Sequence, residues 1–440
     1  MASTENTASS RSVLQDDRAV FAPGKVFQVS GRLCVAFFTD EEQCLRQLRS
    51  NPSHYYFSNA CPTVRAPPPA EPPASSSTML YSESMPSFIS KSRSVLNPNP
   101  ARGIPRALVQ NYESFAADFG PLPLTEIVKF CKHLDREIDH PHINKSRPVI
   151  FYSDANPKVV TNTVLLLCCY LVLRQGLSPE QAAERFECIP GLPVIYFCDA
   201  RPATIANKHP ISVMDCLQGL TRAIGRGLWA EESFDVEAAE WLYNYDTFDL
   251  SIVTPKIIAF SCPNTVLGFG GKLNYFRRPE KYVELFNRIR VTDIVRLNDD
   301  ETYDPEEFRR AGFKWLDLSF PDCSCPSLGI VERFLDLCDK AEGRVAIHCL
   351  AGLARTGTLI CCDLIKNHGF TALEAVGYLR LARPGSVIDV QHEFLRMVES
   401  FEWDGNRPLV PDGWGVDHHL HLQGPALVAG PIRSSRAAPV

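Results

Sequence analysis

Apolar and polar residues follow two alternating rhythms along the chain. Short apolar runs at 34–38 and 148–152 predict buried strands, and apolar positions recurring every three or four residues over 124–138 and 162–175 predict helices. After residue 253 the same rhythm returns, with strands expected at 256–260, 293–296 and 345–348 and helices at 327–340, 357–367 and 371–381. Strands alternating with helices predict an α/β layer fold, here in two blocks. Three stretches lack such patterning: 1–25 is polar, 62–104 is crowded with Pro and Ser, and 403–440 is rich in Gly, Pro and His. The organisation expected is therefore a disordered N-terminus over 1–25 and a first domain over 26–240 with 62–104 as an insertion. A linker over 241–252, a second domain over 253–402 and a disordered tail over 403–440 complete it.

The two blocks share a unit. Pro148-Val-Ile-Phe-Tyr-Ser-Asp154, a loop, and Thr161-Asn-Thr-Val-Leu-Leu-Leu-Cys-Cys parallel Arg344-Val-Ala-Ile-His-Cys349, a loop, and Thr356-Gly-Thr-Leu-Ile-Cys-Cys. Setting Thr161 on Thr356 places Asp154 opposite Cys349 and Val160 opposite Arg355. The first copy thus lacks both a thiol and a guanidinium that the second copy carries.

Composition narrows the function. A length of 440 residues fits two domains of ordinary size, and a net charge of -6 supplies no broad basic field for nucleic acid or anionic lipid. The first residues lack the positive start and apolar centre of a secretory signal, and the longest apolar run, 164–172, is short for a bilayer. A soluble, intracellular protein without nucleic-acid or membrane partners is expected. The sixteen cysteines lie largely in apolar runs such as Leu167-Cys168-Cys169-Tyr170, and no CxxC pair occurs, so reduced core thiols are expected and a structural zinc is not. His418, His419 and His421 are read as a solvated tail rather than metal ligands.

The chemistry centres on His348-Cys349-Leu350-Ala351-Gly352-Leu353-Ala354-Arg355-Thr356-Gly357, between a predicted strand and a predicted helix. The loop from Leu350 to Ala354 can wind its N–H groups around a phosphate, with the helix N-terminus adding donors and a favourable dipole. Such a field also favours a thiolate, bringing a Cys pKa from about 8.5 to roughly 3.5–7.5, so Cys349 is the candidate nucleophile. Arg355, six residues on, can hold two phosphoryl oxygens with its planar fork. Thr356 can donate its hydroxyl to the sulfur, and His348 can orient the loop through backbone hydrogen bonds. A leaving oxygen needs a proton, for which Asp322 in Phe320-Pro-Asp-Cys-Ser-Cys-Pro326 is the candidate acid and, later, base. Gln391 in Ile388-Asp-Val-Gln-His is the candidate for positioning the attacking water. The loop does not fit GxxxxGK[ST], so a nucleoside triphosphatase is not supported.

These segments resemble the cell-division-cycle fourteen family of dual-specificity phosphatases. The likeness runs from Val291-Thr-Asp-Ile-Val-Arg-Leu-Asn298 through Ala311-Gly-Phe, Asp322, the Cys349 loop and Ala382-Arg-Pro-Gly-Ser-Val-Ile388. It extends to Tyr112-Glu113, Ala117-Asp-Phe-Gly-Pro-Leu122, Asp215-Cys-Leu-Gln-Gly219 and Ser233-Phe-Asp-Val236 in the first block. The resemblance implies two tandem phosphatase-like domains, only the second catalytic, with no cofactor. It implies phosphoprotein substrates at Ser-Pro sites of cyclin-dependent kinases, phosphotyrosine activity, and cell-cycle or cytoskeletal roles in nucleus or cytoplasm, at centrosome, basal body or spindle. It also implies an acidic groove for a basic residue of the substrate, to which Glu237 and Glu240 would contribute, although Ala238 stands where the family has an acid.

Other departures are Leu350 for Lys, Ala354 for Gly, and Cys323 and Cys325 in the acid loop. Ala354 would strain the loop if its backbone needed a glycine conformation. A catalytically weak phosphoprotein-binding scaffold is one rival reading. An inositol lipid phosphatase is another, disfavoured by the lack of lysine at Leu350, Leu353 and Ala354.

Overall fold

The computed structural model describes residues 21–39, 41–50, 54–57, 112, 114, 118–140, 145–199, 208–263, 275–298 and 303–409. Two sheets appear in them, as the alternation predicts. The first contains β1 (Val26–Ser30), β2 (Leu33–Phe38), β3 (Tyr55–Phe57) and β4 (Val149–Asp154) in the order β1-β2-β4-β3, parallel except for β1. Its helices are α1 (Glu41–Ser50), α2 (Leu124–Ile138), α3 (Pro157–Gln175), α4 (Pro179–Glu187), α5 (Val213–Gly225) and α6 (Val236–Tyr243). The second sheet, β5-β6-β9-β7-β8, is built from β5 (Leu250–Ile252), β6 (Ile257–Ser261), β7 (Val291–Arg296), β8 (Lys314–Asp317) and β9 (Arg344–Cys349). Around it lie α7 (Pro279–Arg288), α8 (Glu306–Arg310), α9 (Leu328–Lys340), α10 (Ala354–His368), α11 (Ala372–Ala382) and α12 (Val390–Glu399). A hairpin follows, β10 (Glu402–Asp404) with β11 (Arg407–Leu409).

Three expectations about boundaries change. The stretch read as a linker over 241–252 ends in β5, which pairs antiparallel with β6 and so belongs to the second sheet. Residues 403–409, read as tail, close the hairpin, and Trp403 packs edge-on against Phe401. Phe21, read as N-terminal tail, lies edge-on to Phe37. The insertion over 62–104 and the histidines at 418, 419 and 421 lie outside the described residues.

Helix α3 starts five residues before the expected 162, because Asn156 caps it by accepting from the Lys158 N–H and Pro157 occupies its first turn. Its full 19 residues are long and apolar enough to cross a bilayer, more than the run at 164–172 suggested. Val160 to Leu171 are nevertheless buried, which is the behaviour of a core helix between α2, α4 and α5.

The domains meet through α5 and α11. A Cβ at Gly219 would lie 2.3 Å from the Glu374 carbonyl oxygen, and one at Gly377 would lie 2.6 Å from that of Asp215, so the two backbones touch where both glycines face each other's helix. Arg222 fixes the crossing by donating twice to the Glu374 carboxylate, at 2.6 and 2.9 Å.

Strand β9 lies between β6 and β7, parallel to both, and covered on both faces, which explains its apolar Val-Ala-Ile core. Its carboxyl end, where α/β sheets present their ligand crevices, is Cys349.

Candidate active site

Cys349 closes β9, buried beside Ser261 of β6, and the chain turns at Leu350–Leu353 into α10. Gly352 makes this turn possible. It has φ +65°, and a Cβ there would sit 2.1 Å from the Phe260 carbonyl oxygen. The buried Arg383 guanidinium takes the loop's carbonyls: Nε donates to Gly352 O at 2.7 Å and Nη2 to Ala351 O at 3.0 Å. With these oxygens turned outward, the N–H groups from Ala351 to Thr356 find no acceptor among the described residues. Helix α10 also begins without a side-chain cap, unlike α3, α4, α5, α9 and α11. The result is a ring of backbone donors at a helix N-terminus, beside the Cys349 thiol.

Ala354 does not strain this loop. It is the first residue of α10 and is not among the described residues with positive φ, so the position that needs glycine is Gly352, two residues earlier. The concern that Ala354 would distort the backbone is thereby removed.

Arg355 is buried and held from behind. Its Nη1 donates to Leu297 O at 3.2 Å and to Phe320 O at 3.0 Å, while Nε has no hydrogen-bond acceptor among the described residues and lies 3.1 Å from Asp322 Oδ1 as an ion pair. The Asp322 side chain is 58% exposed, so the carboxylate reaches over the guanidinium from the solvent side. The Thr356 hydroxyl is buried without a hydrogen-bond partner, and no bond joins it to the Cys349 sulfur.

Gln391 is fully buried. Its Oε1 accepts from the Ile388 N–H and its Nε2 donates to Ser324 O, both at 3.1 Å, which ties the start of α12 to the loop carrying Asp322. Cys323 in that loop has φ +55°, and Cys325 is buried with its thiol pKa pushed up to about 12 by desolvation, against Val390 O at 3.6 Å. Cys325 therefore packs into the acid loop as a protonated thiol.

His348 is buried, and desolvation lowers its pKa to about 3. The neutral ring fits its partners: Nδ1 lies 3.1 Å from Cys349 O and Nε2 2.7 Å from the Tyr303 hydroxyl. Assigning the proton to Nδ1 lets His348 donate to the carbonyl of the nucleophile and accept from Tyr303. His392 is likewise buried and lowered well below the usual value, by desolvation first and then by Arg380. Both imidazoles have folded pKa values below their unfolded ones, so the folded state binds fewer protons. Their stabilising contribution is complete above about pH 6.5, the unfolded value, and is lost as pH falls toward the folded values. Urea midpoints taken from pH 7.5 down to pH 4 are expected to fall steadily below about pH 6.5, and less steeply in a His392→Asn variant.

Sequence reasoning missed Tyr303, Arg383 and the carbonyls that hold Arg355. In the first domain β4 ends at Asp154 as β9 ends at Cys349, but there the helix N-terminus is closed internally. Asp154 Oδ1 accepts from Asn156 N at 2.6 Å, and Asn156 caps α3.

Comparison with known proteins places both halves. Residues 108–223 match the family model described as dual specificity protein phosphatase, N-terminal half, and residues 279–403 match dual specificity phosphatase, catalytic domain. Dual specificity protein phosphatase CDC14A of Mus musculus is 35% identical over 66% of this chain and 48% of its own length. For CDC14AB of Danio rerio the figures are 37%, 66% and 47%, and for the tyrosine-protein phosphatase CDC14 of Saccharomyces cerevisiae 34%, 64% and 52%. The chain belongs to the Cdc14 family. It spans about half the length of the curated relatives it matches. Among solved structures, Tk-PTP in its active form aligns over 34% of this chain and 95% of its own at 21% identity, with a TM-score of 0.29.

The two glutamates that the resemblance assigned to an acidic groove stand in different settings. Glu240 is ion-paired with Lys129 of α2, which also holds Glu126 at 3.3 Å. Asp235 is spent on capping α6, accepting from the Ala238 N–H at 3.0 Å. Of the two groove candidates only Glu237, exposed in the first turn of α6, has no ion-pair partner among the described residues. Among those residues, too, no cluster of three His, Cys, Asp or Glu is arranged to hold a metal.

Proposed function

We propose that the second domain hydrolyses phosphorylated serine, threonine and tyrosine side chains of proteins through a cysteinyl-phosphate on Cys349. The observation that carries this reading is the loop itself. Arg383 turns its carbonyls outward, its N–H groups are left for an anion, and Arg355 stands at its end with Nε uncommitted to any hydrogen bond.

The Cys349 sulfur attacks phosphorus and the bond to the side-chain oxygen breaks. Asp322 gives that oxygen its proton, while the loop amides and Arg355 hold the three equatorial oxygens. Water then attacks the phosphocysteine, Asp322 takes its proton, and the sulfur leaves with the Thr356 hydroxyl as its donor. Gln391 uses one N–H and one lone pair on Ser324 and Ile388, which leaves its second N–H and second lone pair for that water. The relatives' names, dual specificity and tyrosine-protein phosphatase, agree with this chemistry. The family resemblance supports phosphoserine followed by proline, as at cyclin-dependent kinase sites, as the preferred substrate.

The test is phosphate release, with chelator present, from paired phosphopeptides carrying phosphoserine-proline or phosphoserine-alanine. Faster release from the proline peptide is expected. Binding of the proline peptide without any release would favour a scaffold instead.

A further inference from the structure

The segment that carries Gln391 is strained, and part of its support comes from the other domain. Val387 has φ +62° and Asp389 φ +41°, backbone conformations that residues with a Cβ hold only when their surroundings impose them. Arg380 supports the first from within the second domain: Nε donates to Ser386 O at 3.0 Å and Nη2 to Val387 O at 2.9 Å. Asp389 is held differently. Its N–H donates to Asp199 Oδ2 at 2.5 Å, across 190 residues, and Asp199 is a buried residue of the first domain. Asp389 opens α12 without a side-chain cap, and its carbonyl accepts from the His392 N–H at 3.1 Å, so the first turn of α12 is built on it.

The first domain presents Asp199 on a fixed backbone. Antiparallel bridges pair Phe197 with Ile211 and Cys198 with Phe119, which anchors the residues beside them. His209, just before Ile211, is buried and stacks on His392 of α12, with ring centroids 5.2 Å apart and planes 6° from parallel. Asp199 and His209 thus grip α12 at Asp389 and His392, which flank Gln391 in the sequence. Gln391 in turn ties the helix to the acid loop through Ser324 O.

We infer that Asp199 and His209 are positioning residues for hydrolysis of the phosphocysteine, acting through Asp389, His392 and Gln391. This inference rests on the phosphatase reading above, and it gives the first domain, which lacks a nucleophile of its own, a part in the chemistry of the second. In that step a water oxygen bonds to phosphorus, its proton passes to Asp322 and the Cys349 sulfur leaves. Removing the Asp199 carboxylate leaves the Asp389 N–H unpaired and lets Asp389 relax from positive φ, which turns Gln391 away from the attacking water. Attack by Cys349 does not use Gln391, so the phosphocysteine forms as before while its breakdown slows. Misplacing a group that orients a reactant lowers the rate by about ten-fold or more.

The experiment uses the full chain and p-nitrophenyl phosphate, with stopped-flow detection of p-nitrophenolate. Asp199→Ala should lower kcat about ten-fold and KM with it, leaving kcat/KM, which reports formation of the phosphocysteine, within about two-fold of native. A burst of p-nitrophenolate should precede the slow steady state. Asp199→Asn keeps an oxygen that accepts from the Asp389 N–H and should restore the native kcat. In a Gln391→Leu background, Asp199→Ala should lower kcat no further. A merely structural role would lower kcat through loss of folded protein with KM unchanged. That result, or a native kcat in Asp199→Ala, overturns the inference and leaves the phosphatase standing. If Asp199→Ala does not fold, His209→Ala, which removes the ring stacked on His392, must show the same joint fall of kcat and KM, and its absence overturns the inference equally. Native protein that releases no p-nitrophenolate takes down both readings.

Discussion

Cys349→Ser is expected to release phosphate more slowly than native protein by a factor on the order of 10⁴–10⁶, the loss seen when an enzyme's nucleophile is removed. The reason is chemical rather than structural. Serine fits the space of a buried cysteine next to Ser261, but its oxygen is a far weaker nucleophile than sulfur, and it leaves phosphorus far less readily. The loop's amides and Arg355 are untouched by the change, so phosphopeptide binding should persist. Stopped-time phosphate release measures the loss, and fluorescence anisotropy of a labelled phosphopeptide measures the retained binding. A Cys349→Ser protein that kept a tenth of the native rate would place the nucleophile elsewhere.

Arg355→Lys should lower kcat by about 10³, toward the upper end of the loss when one preorganised donor to a developing charge is removed. A lysine carries the charge but not the fork. The Nη1 group of Arg355 is committed to Leu297 O and Phe320 O, and this leaves the remainder of the guanidinium facing Asp322 and the loop. An ammonium at this depth cannot hold both carbonyls and two phosphoryl oxygens together. The buried carbonyls of Leu297 and Phe320 then lose a donor, at a cost of about 1–3 kcal/mol for each group left unsatisfied. The variant should therefore melt at lower temperature as well as turn over slowly. Measuring kcat well below the melting temperature separates the two effects, and a variant that lost stability but kept kcat would contradict the role assigned to Arg355.

Much of this site was readable because its chemistry is contiguous. Cys349, Gly352 and Arg355 lie in one loop, and a strand on one side with a helix on the other sets their geometry. The duplicated strand-loop-helix unit was readable for the same reason, and the pairing of Asp154 with Cys349 at the two strand ends follows from it. What could not be read depends on residues far apart in the chain. Tyr303 meets His348 across 45 residues, Arg383 meets Gly352 across 31, and Lys129 meets Glu240 across 111. No local periodicity records such pairs, so nothing in the sequence marked Glu240 as facing Lys129. The strand β5 was missed for a related reason. Three residues at the edge of a sheet, Leu250–Ile252, carry too short a pattern to be told from a connector. Ala354 misled in the opposite sense, since a family comparison marks the substitution but only the backbone shows which loop position needs positive φ.

The most direct measurement is to mix native protein with a phosphopeptide, quench in acid within milliseconds, digest, and weigh the peptide that contains Cys349. The account predicts a transient adduct with the mass of a phosphoryl group on Cys349, longer-lived when Gln391 is replaced by Leu. Phosphate release with no adduct on that peptide at any quench time, in either protein, would contradict covalent attack by Cys349.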